Sequence, residues 1–175
     1  MALEYYEILL KKHTDYLVVS GYVSISTGRT RGTENIDIIC PIIDKIKFQE
    51  LFSDLDNNKF WCYQGDKAQE VYNQYFSSLT TIRFAKENQI FPNIKLIPFK
   101  KTDKIKSFEF NHPQKIIIED FEFKIPQIEF EIAYKEKVLK GKKDISDAKH
   151  LRIFFSDIIK EYKIKKFKKL IQTES

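Results

Sequence analysis

The chain is poor in the residues that mark several protein classes. Its 175 residues include two cysteines, Cys40 and Cys62, both inside strand-like apolar runs. That excludes a disulfide-stapled fold and points to buried free thiols in a reducing cytoplasm. The three histidines, His13, His112 and His150, are scattered. None stands at metal-ligand spacing with a cysteine or another histidine, so no zinc site is expected. With five glycines and five prolines there is no Gly/Ser-rich linker and no collagen-like or disordered tract. One domain over 1–175 is expected, with a core over about 1–125 and C-terminal helices over about 127–170. No apolar run approaches the ~20 residues of a membrane span. The opening segment lacks the layout of a signal peptide, so a cytoplasmic protein with no membrane contact is expected. Neither an internal repeat nor a Walker-type phosphate loop is present.

Hydrophobic residues make up 42% of the chain and charged residues 31%, enough apolar surface for a packed core. The net charge of +5 weakly favours polyanionic partners. Leu3, Tyr6, Leu9 and Leu10 predict an opening helix. Asp44 is placed to cap a helix that carries Phe48, Leu51, Phe52 and Leu55 on one face. Residues 59–64 read as a strand. Ala68, Val71, Tyr72, Tyr75, Phe76 and Leu79 read as an amphipathic helix of three turns. Residues 81–85 and 94–99 read as strands, 103–110 as ambiguous, and 115–118 and 121–125 as short strands either side of Glu119-Asp120. After Pro126 one helix runs to Gly141. A last long helix is expected from Asp144 into the lysine-rich tail. Strands mixed with helices predict an α/β (α+β) protein: a mixed β-sheet flanked by helices, ending in a helical pair.

The stretch from Tyr16 to Pro41 organises the rest. Leu17, Val18 and Val19 form a short strand, Ser20-Gly21 a turn, and Tyr22 to Thr27 a short helix. A loop with Gly28, Arg29, Arg31 and Gly32 follows, and then a strand that carries Asp37 between Ile36 and Ile38. Backbone N–H groups at a helix start attract phosphate. Arg29 and Arg31 can clamp it, and a carboxylate at a strand edge can hold Mg²⁺.

Ser20-Gly21-Tyr22 and the run Arg31-Gly32-Thr33-Glu34-Asn35-Ile36-Asp37 resemble the signature of the DNA polymerase β-like nucleotidyltransferases, in the branch near the abortive-infection toxin enzymes. That signature is a Gly-Gly or Gly-Ser turn after a strand, then an acid-x-acid pair on the next. Asn35 stands where the first acid belongs. The third acid is expected on the strand 94–99, which has none; Lys95 occupies its place. The resemblance implies a nucleotidyltransferase-type sheet, an NTP substrate with Mg²⁺ on Asp37 and Asn35, and phosphate contacts from Ser20, Gly21, Arg29, Arg31 and Thr33. It further implies transfer of a nucleoside monophosphate to an RNA or protein hydroxyl. The alternative is a catalytically degenerate relative that binds a nucleotide, RNA or a partner protein, for example in a toxin–antitoxin system.

Near the C-terminus, stepping ~100° per residue from Ile128 places Glu131 and Lys135 inside the apolar arc of their helix, in an order that favours an ion pair. Lys135…Lys143-Asp144-x-x-Asp147 resembles the Lys…(Arg/Lys)-Asp-x-x-Asp pattern of the toxin branch. It adds Lys135 and Asp144 to the expected catalytic set with Asp37, although Asp144 also reads as a plain helix N-cap. Lys160, Lys163, Lys165, Lys166, Lys168 and Lys169 form either a solvated helix face or a contact to an RNA backbone such as tRNA.

Overall fold

The computed structural model describes residues 9–30, 32, 35–118 and 121–174. In chain order its elements are β1 (Leu17–Val19), α1 (Gly21–Ser26), β2 (Asn35–Pro41), α2 (Lys45–Asn57), β3 (Phe60–Cys62), α3 (Ala68–Gln74), β4 (Ile82–Lys86) and β5 (Asn93–Phe99). Then follow α4 (Lys104–Asn111), β6 (Pro113–Ile118), β7 (Phe121–Pro126), α5 (Ile128–Tyr134), α6 (Lys142–Phe154) and α7 (Glu161–Glu174). They form two compact units, one of residues 1–17 and 33–101, the other of 18–32 and 102–175.

The first unit is built on a mixed sheet in which β2, β5, β4 and β3 lie side by side. β2 and β5 run parallel, while β4 is antiparallel to both β5 and β3. The apolar alternates Ile36, Ile38 and Cys40 on β2, Ile94 and Leu96 on β5, and Ile82 and Phe84 on β4 are all buried. Period-two strands put such residues on one face. α2 starts where its cap was expected: the Asp44 carboxylate accepts a hydrogen bond from Lys47 N–H at 2.9 Å. Its buried stripe is Phe48, Leu51, Phe52 and Leu55. Phe48 meets Phe76 at 4.7 Å and Tyr72 at 5.4 Å between ring centroids, distances at which tilted rings attract. Leu9 and Leu10 are buried at a helix end; Leu3 and Tyr6 lie outside the described residues. Both cysteines are free and buried.

α3 is shorter than its stripe suggested. It stops at Gln74, and a 3₁₀ turn follows over Phe76–Ser78. Ser77 and Ser78 donate their hydroxyls back to the carbonyls of Asn73 and Gln74, the local competition that makes serine a poor helix interior. Leu79 then takes φ 62° and stays exposed.

In the second unit β6 and β7 form an antiparallel hairpin. The ambiguous segment is helical: Asp103 caps α4, accepting from Lys106 N–H at 2.9 Å. α5 buries Ile128, Phe130 and Ile132 and widens into a π turn over Lys135–Leu139. The expected last long helix is two helices. α6 ends at Phe154 and α7 begins at Glu161, and Ile153, Phe154 and Ile158 about the break stay exposed. α7 buries Ile164, Phe167 and Ile171 instead. Its cap residue also differs from the expectation for α6: Gly141, not Asp144, is the N-cap, and Asp144 lies in the first turn.

Candidate functional site

In the first unit the alternation of β2 turns Asn35 and Asp37 to the face opposite buried Ile36 and Ile38. The parallel register sets Asp37 against Lys95 and Asn35 against Asn93. β4 continues both rows, with Arg83 beside Lys95 and Ala85 beside Asn93. β3 adds Trp61 beside Ala85, and Tyr63, just beyond β3, donates its N–H to the Arg83 carbonyl at 3.0 Å. Lys95 Nζ lies 3.7 Å from Asp37 Oδ1, with the side chains 30% and 20% exposed. Asp37 Oδ1 and Asn93 Oδ1 are buried and accept no hydrogen bond.

A metal pair does not fit these residues. Hard divalent cations are held by carboxylates and carbonyl oxygens. Among its described residues this face offers the Asp37 carboxylate, the Asn35 and Asn93 amides and, beside the carboxylate, the Lys95 ammonium. The set carries no net negative charge, and Lys95 Nζ already neutralises the one oxygen, Asp37 Oδ1, that a cation would need. Among the described residues no group of three or more His, Cys, Asp or Glu is placed to hold a metal ion.

The second unit carries a buried charge network. Lys135 is fully enclosed, its Nζ 3.1 Å from Glu131 and 3.2 Å from Asp147. The other oxygen of Asp147 takes the Arg29 guanidinium, which also donates to the Lys143 carbonyl at 3.4 Å. One turn away, His150 Nε2 lies 3.2 Å from both the hydroxyl and the carbonyl oxygen of Thr27. The loop after α1 is thus pinned to α6 by charge and by hydrogen bonds. Lys135 opens the π turn; such turns often re-aim a functional side chain.

Ser20 precedes α1 with φ 65° and ψ −133°, a conformation that costs a non-glycine residue of order 1–3 kcal/mol. Gly21 is buried at the start of α1, and the Ser24 hydroxyl is buried with no hydrogen-bond partner. Arg31 and Thr33 lie outside the described residues. Asp144 stands apart from Lys135, its carboxylate folded over Gly141, where an added Cβ would meet Oδ2 at 2.6 Å. The acid of α6 that meets Lys135, beside Glu131 of its own helix, is Asp147, three residues on. Its buried neighbours Ala148 and Leu151 mark the stripe of α6, and Asp147 shares it. Arg29 and Lys135 come together through Asp147; Asp37 and Lys95 come together on the sheet.

Glu109 on α4 is a second buried acid. Burial, then the charge of Glu131, push its carboxyl up to about 8, against the opposing pull of Lys106. Burial likewise lifts the Tyr134 hydroxyl to about 12, with Glu109 and Glu131 adding to it. A raised carboxyl binds its proton more tightly in the folded than in the unfolded chain, so it stabilises below the ordinary Glu range and that contribution fades as pH climbs through about 8. Wild type is therefore expected to lose stability between the ordinary Glu value of 4.5 and about pH 8, by up to ~1.4 kcal/mol per pH unit, and to level off above it, and Glu109→Gln to lose this component. Urea midpoints at pH 5, 7 and 9 check it: parallel curves for the two proteins would contradict the assignment.

No family model matches the sequence, and no curated protein is similar to it in sequence. Solved structures are similar in shape. An antigenic nucleotidyltransferase-like protein from Paracoccidioides brasiliensis superposes with a TM-score of 0.56 at 13% identity, over 98% of this chain and 86% of that one. The lincosamide antibiotic adenylyltransferase LnuA, in its lincomycin-bound form, superposes with a TM-score of 0.56 at 16% identity, over 88% of this chain and 98% of that one. The chain has the nucleotidyltransferase fold. The mixed sheet and its helices are therefore those the Ser20-Gly21 and Asn35-Ile36-Asp37 resemblance implied. Within this nucleotidyltransferase fold, β2 carries Asp37 and β5 carries Lys95 in the place expected for an acid. No helix among the described residues is long and apolar enough to cross a membrane.

Proposed function

We propose that the protein binds a nucleoside triphosphate and holds it without a resident divalent cation, as a binding module and not as a transferase. The observation that carries this reading is the Asp37–Lys95 pair. An ammonium fixed on β5 supplies, permanently, positive charge that a metal-dependent relative gains by loading an ion. Lys95 is the residue we assign to phosphate. Separately from Lys95, the resemblance gives Ser20, Gly21, Arg29, Arg31 and Thr33 a phosphate role, each to be tested by its own substitution. Lys135 and Asp147 are positioning residues: they fix Arg29 and do not themselves reach solvent. In titration calorimetry with ATP in the presence of EDTA, wild type is expected to bind saturably and Lys95→Met about tenfold or more weakly. Equal affinity for the two proteins would remove Lys95 from the site.

A second reading has one observation in its favour. Asp37 is kept on the polar face, and its buried Oδ1 accepts no hydrogen bond. In that reading Mg²⁺ joins Asp37 and Asn35, and a nucleoside monophosphate passes from NTP to an RNA or protein hydroxyl, as in a toxin–antitoxin pair. Incubation with labelled NTP, Mg²⁺ and total tRNA separates the two. Label transfer by wild type that Asp37→Ala abolishes would replace the binding-only proposal.

A further inference from the structure

The sheet face of the first unit holds more than the Asp37–Lys95 pair. Trp61 on β3 and Tyr63 just beyond it stack ring on ring at 4.3 Å and 17°. Their polar ends are fixed: Trp61 Nε1 donates to the Gln89 carbonyl at 3.1 Å, and the Tyr63 hydroxyl donates to the Ile90 carbonyl. Trp61 is 40% exposed, and Ile90 and Phe91 in the same loop are 60% and 53% exposed. Arg83 is exposed on the neighbouring strand, in the row of Tyr63 and Lys95. Of the acids close by, Asp37 faces Lys95 at 3.7 Å and Glu87 faces Lys59 at 3.9 Å, while Asp56 lines the hollow beside Trp61. Among the described residues the guanidinium of Arg83 takes part in no ion pair.

We propose that this face is a docking strip for single-stranded nucleic acid. Bases extend the stack begun by Trp61 and Tyr63, and the backbone phosphates run past Arg83 towards Lys95. β3 and β5 are two strand spacings apart, about 10 Å, short enough for one strand to cover both features. Every base has a face that can stack on an aromatic ring, and backbone phosphates seek cations whatever the sequence. An aromatic pair whose hydrogen-bonding ends are already satisfied, flanked by arginine and lysine, suits that partner better than it suits an apolar protein surface. The inference shares Lys95 with the nucleoside-triphosphate proposal, but its stacking groups and Arg83 belong to neither residue of the Asp37–Lys95 pair and are the ones its substitutions test.

Trp61 is the one tryptophan of the chain, so its fluorescence reports this strip alone. Titration with a 12-nucleotide single-stranded RNA of mixed sequence is expected to quench it saturably, more weakly as salt rises. Tyr63→Ala and Arg83→Ala, each checked for folding by its thermal melt, are expected to bind about tenfold more weakly; Trp61→Ala, followed by anisotropy of a labelled RNA, is expected to do the same. The matching duplex should quench much less. Absence of quenching by the single strand would overturn the proposal. So would RNA binding, seen by anisotropy, that these three substitutions leave unchanged, and so would quenching by ATP but not by RNA. Because ATP is its own arm, failure of this strip and failure of nucleotide binding give different results.

Discussion

Asp147→Ala is expected to cost the fold about 3–5 kcal/mol, the cost of leaving buried charge without its partner. The carboxylate is fully enclosed and serves two cations, Lys135 at 3.2 Å and the Arg29 guanidinium. Removing it strands an ammonium that is itself fully enclosed and left with Glu131 alone. Asp144→Ala should cost only about 0.3–1 kcal/mol, because Asp144 is a first-turn acid acting on the helix dipole. Denaturant unfolding of the two variants measures the contrast. A second comparison separates charge from packing: Arg29→Met, Glu131→Leu, Lys135→Met and Asp147→Leu combined should recover much of the loss, since apolar groups of similar size can replace a buried network when no member keeps its charge. Equal, small losses for Asp144→Ala and Asp147→Ala would mean the network is not buried as described.

Lys95→Asp together with Asn35→Asp is expected to give the protein a divalent-cation site that wild type lacks. The register sets residue 95 directly against Asp37, and residue 35 lies two positions before Asp37 on the same face. The double variant removes the ammonium and brings three carboxylates to one patch of sheet. Mn²⁺ titration calorimetry should change from no saturation to a Kd of about 10⁻⁴ M or tighter, the range of simple oxygen-ligand sites. Without the ion the same variant should be less stable than wild type, because three like charges then repel. Mn²⁺ affinity in wild type equal to that of the variant would show that Lys95 does not block the site.

The elements were legible where side-chain chemistry acts locally. The Asp44 cap, the Phe48–Leu55 stripe and the strand alternation about Asp37 follow from period and propensity alone. The resemblance expected an acid on the strand that carries Lys95; the parallel pairing that sets Lys95 against Asp37 came only with the fold. What was not legible depends on distant contacts. The break between α6 and α7 cannot be read from Phe155 or Tyr162, which fit a helical stripe equally well whether or not a core waits for them. Gly141 displaced Asp144 as the cap because the chain leaves the π turn there. Asp147 over Asp144 as the partner of Lys135 was half legible. Both acids lie near the apolar face of α6, and only the position of Arg29 in the folded chain chooses between them. The stacked pair of Trp61 and Tyr63 was hidden in a strand-like run, where alternate aromatics read as ordinary sheet residues. An exposed tryptophan alternating with buried Phe60 and Cys62 was the available signal.

The central claim is that a fixed ammonium stands where a metal-dependent nucleotidyltransferase would gather acids. Calorimetric titration of wild type with ATP, run once with excess Mg²⁺ and once with EDTA, tests it most directly. The two dissociation constants are predicted to agree within about threefold. Saturable binding with Mg²⁺ and none with EDTA would contradict the claim.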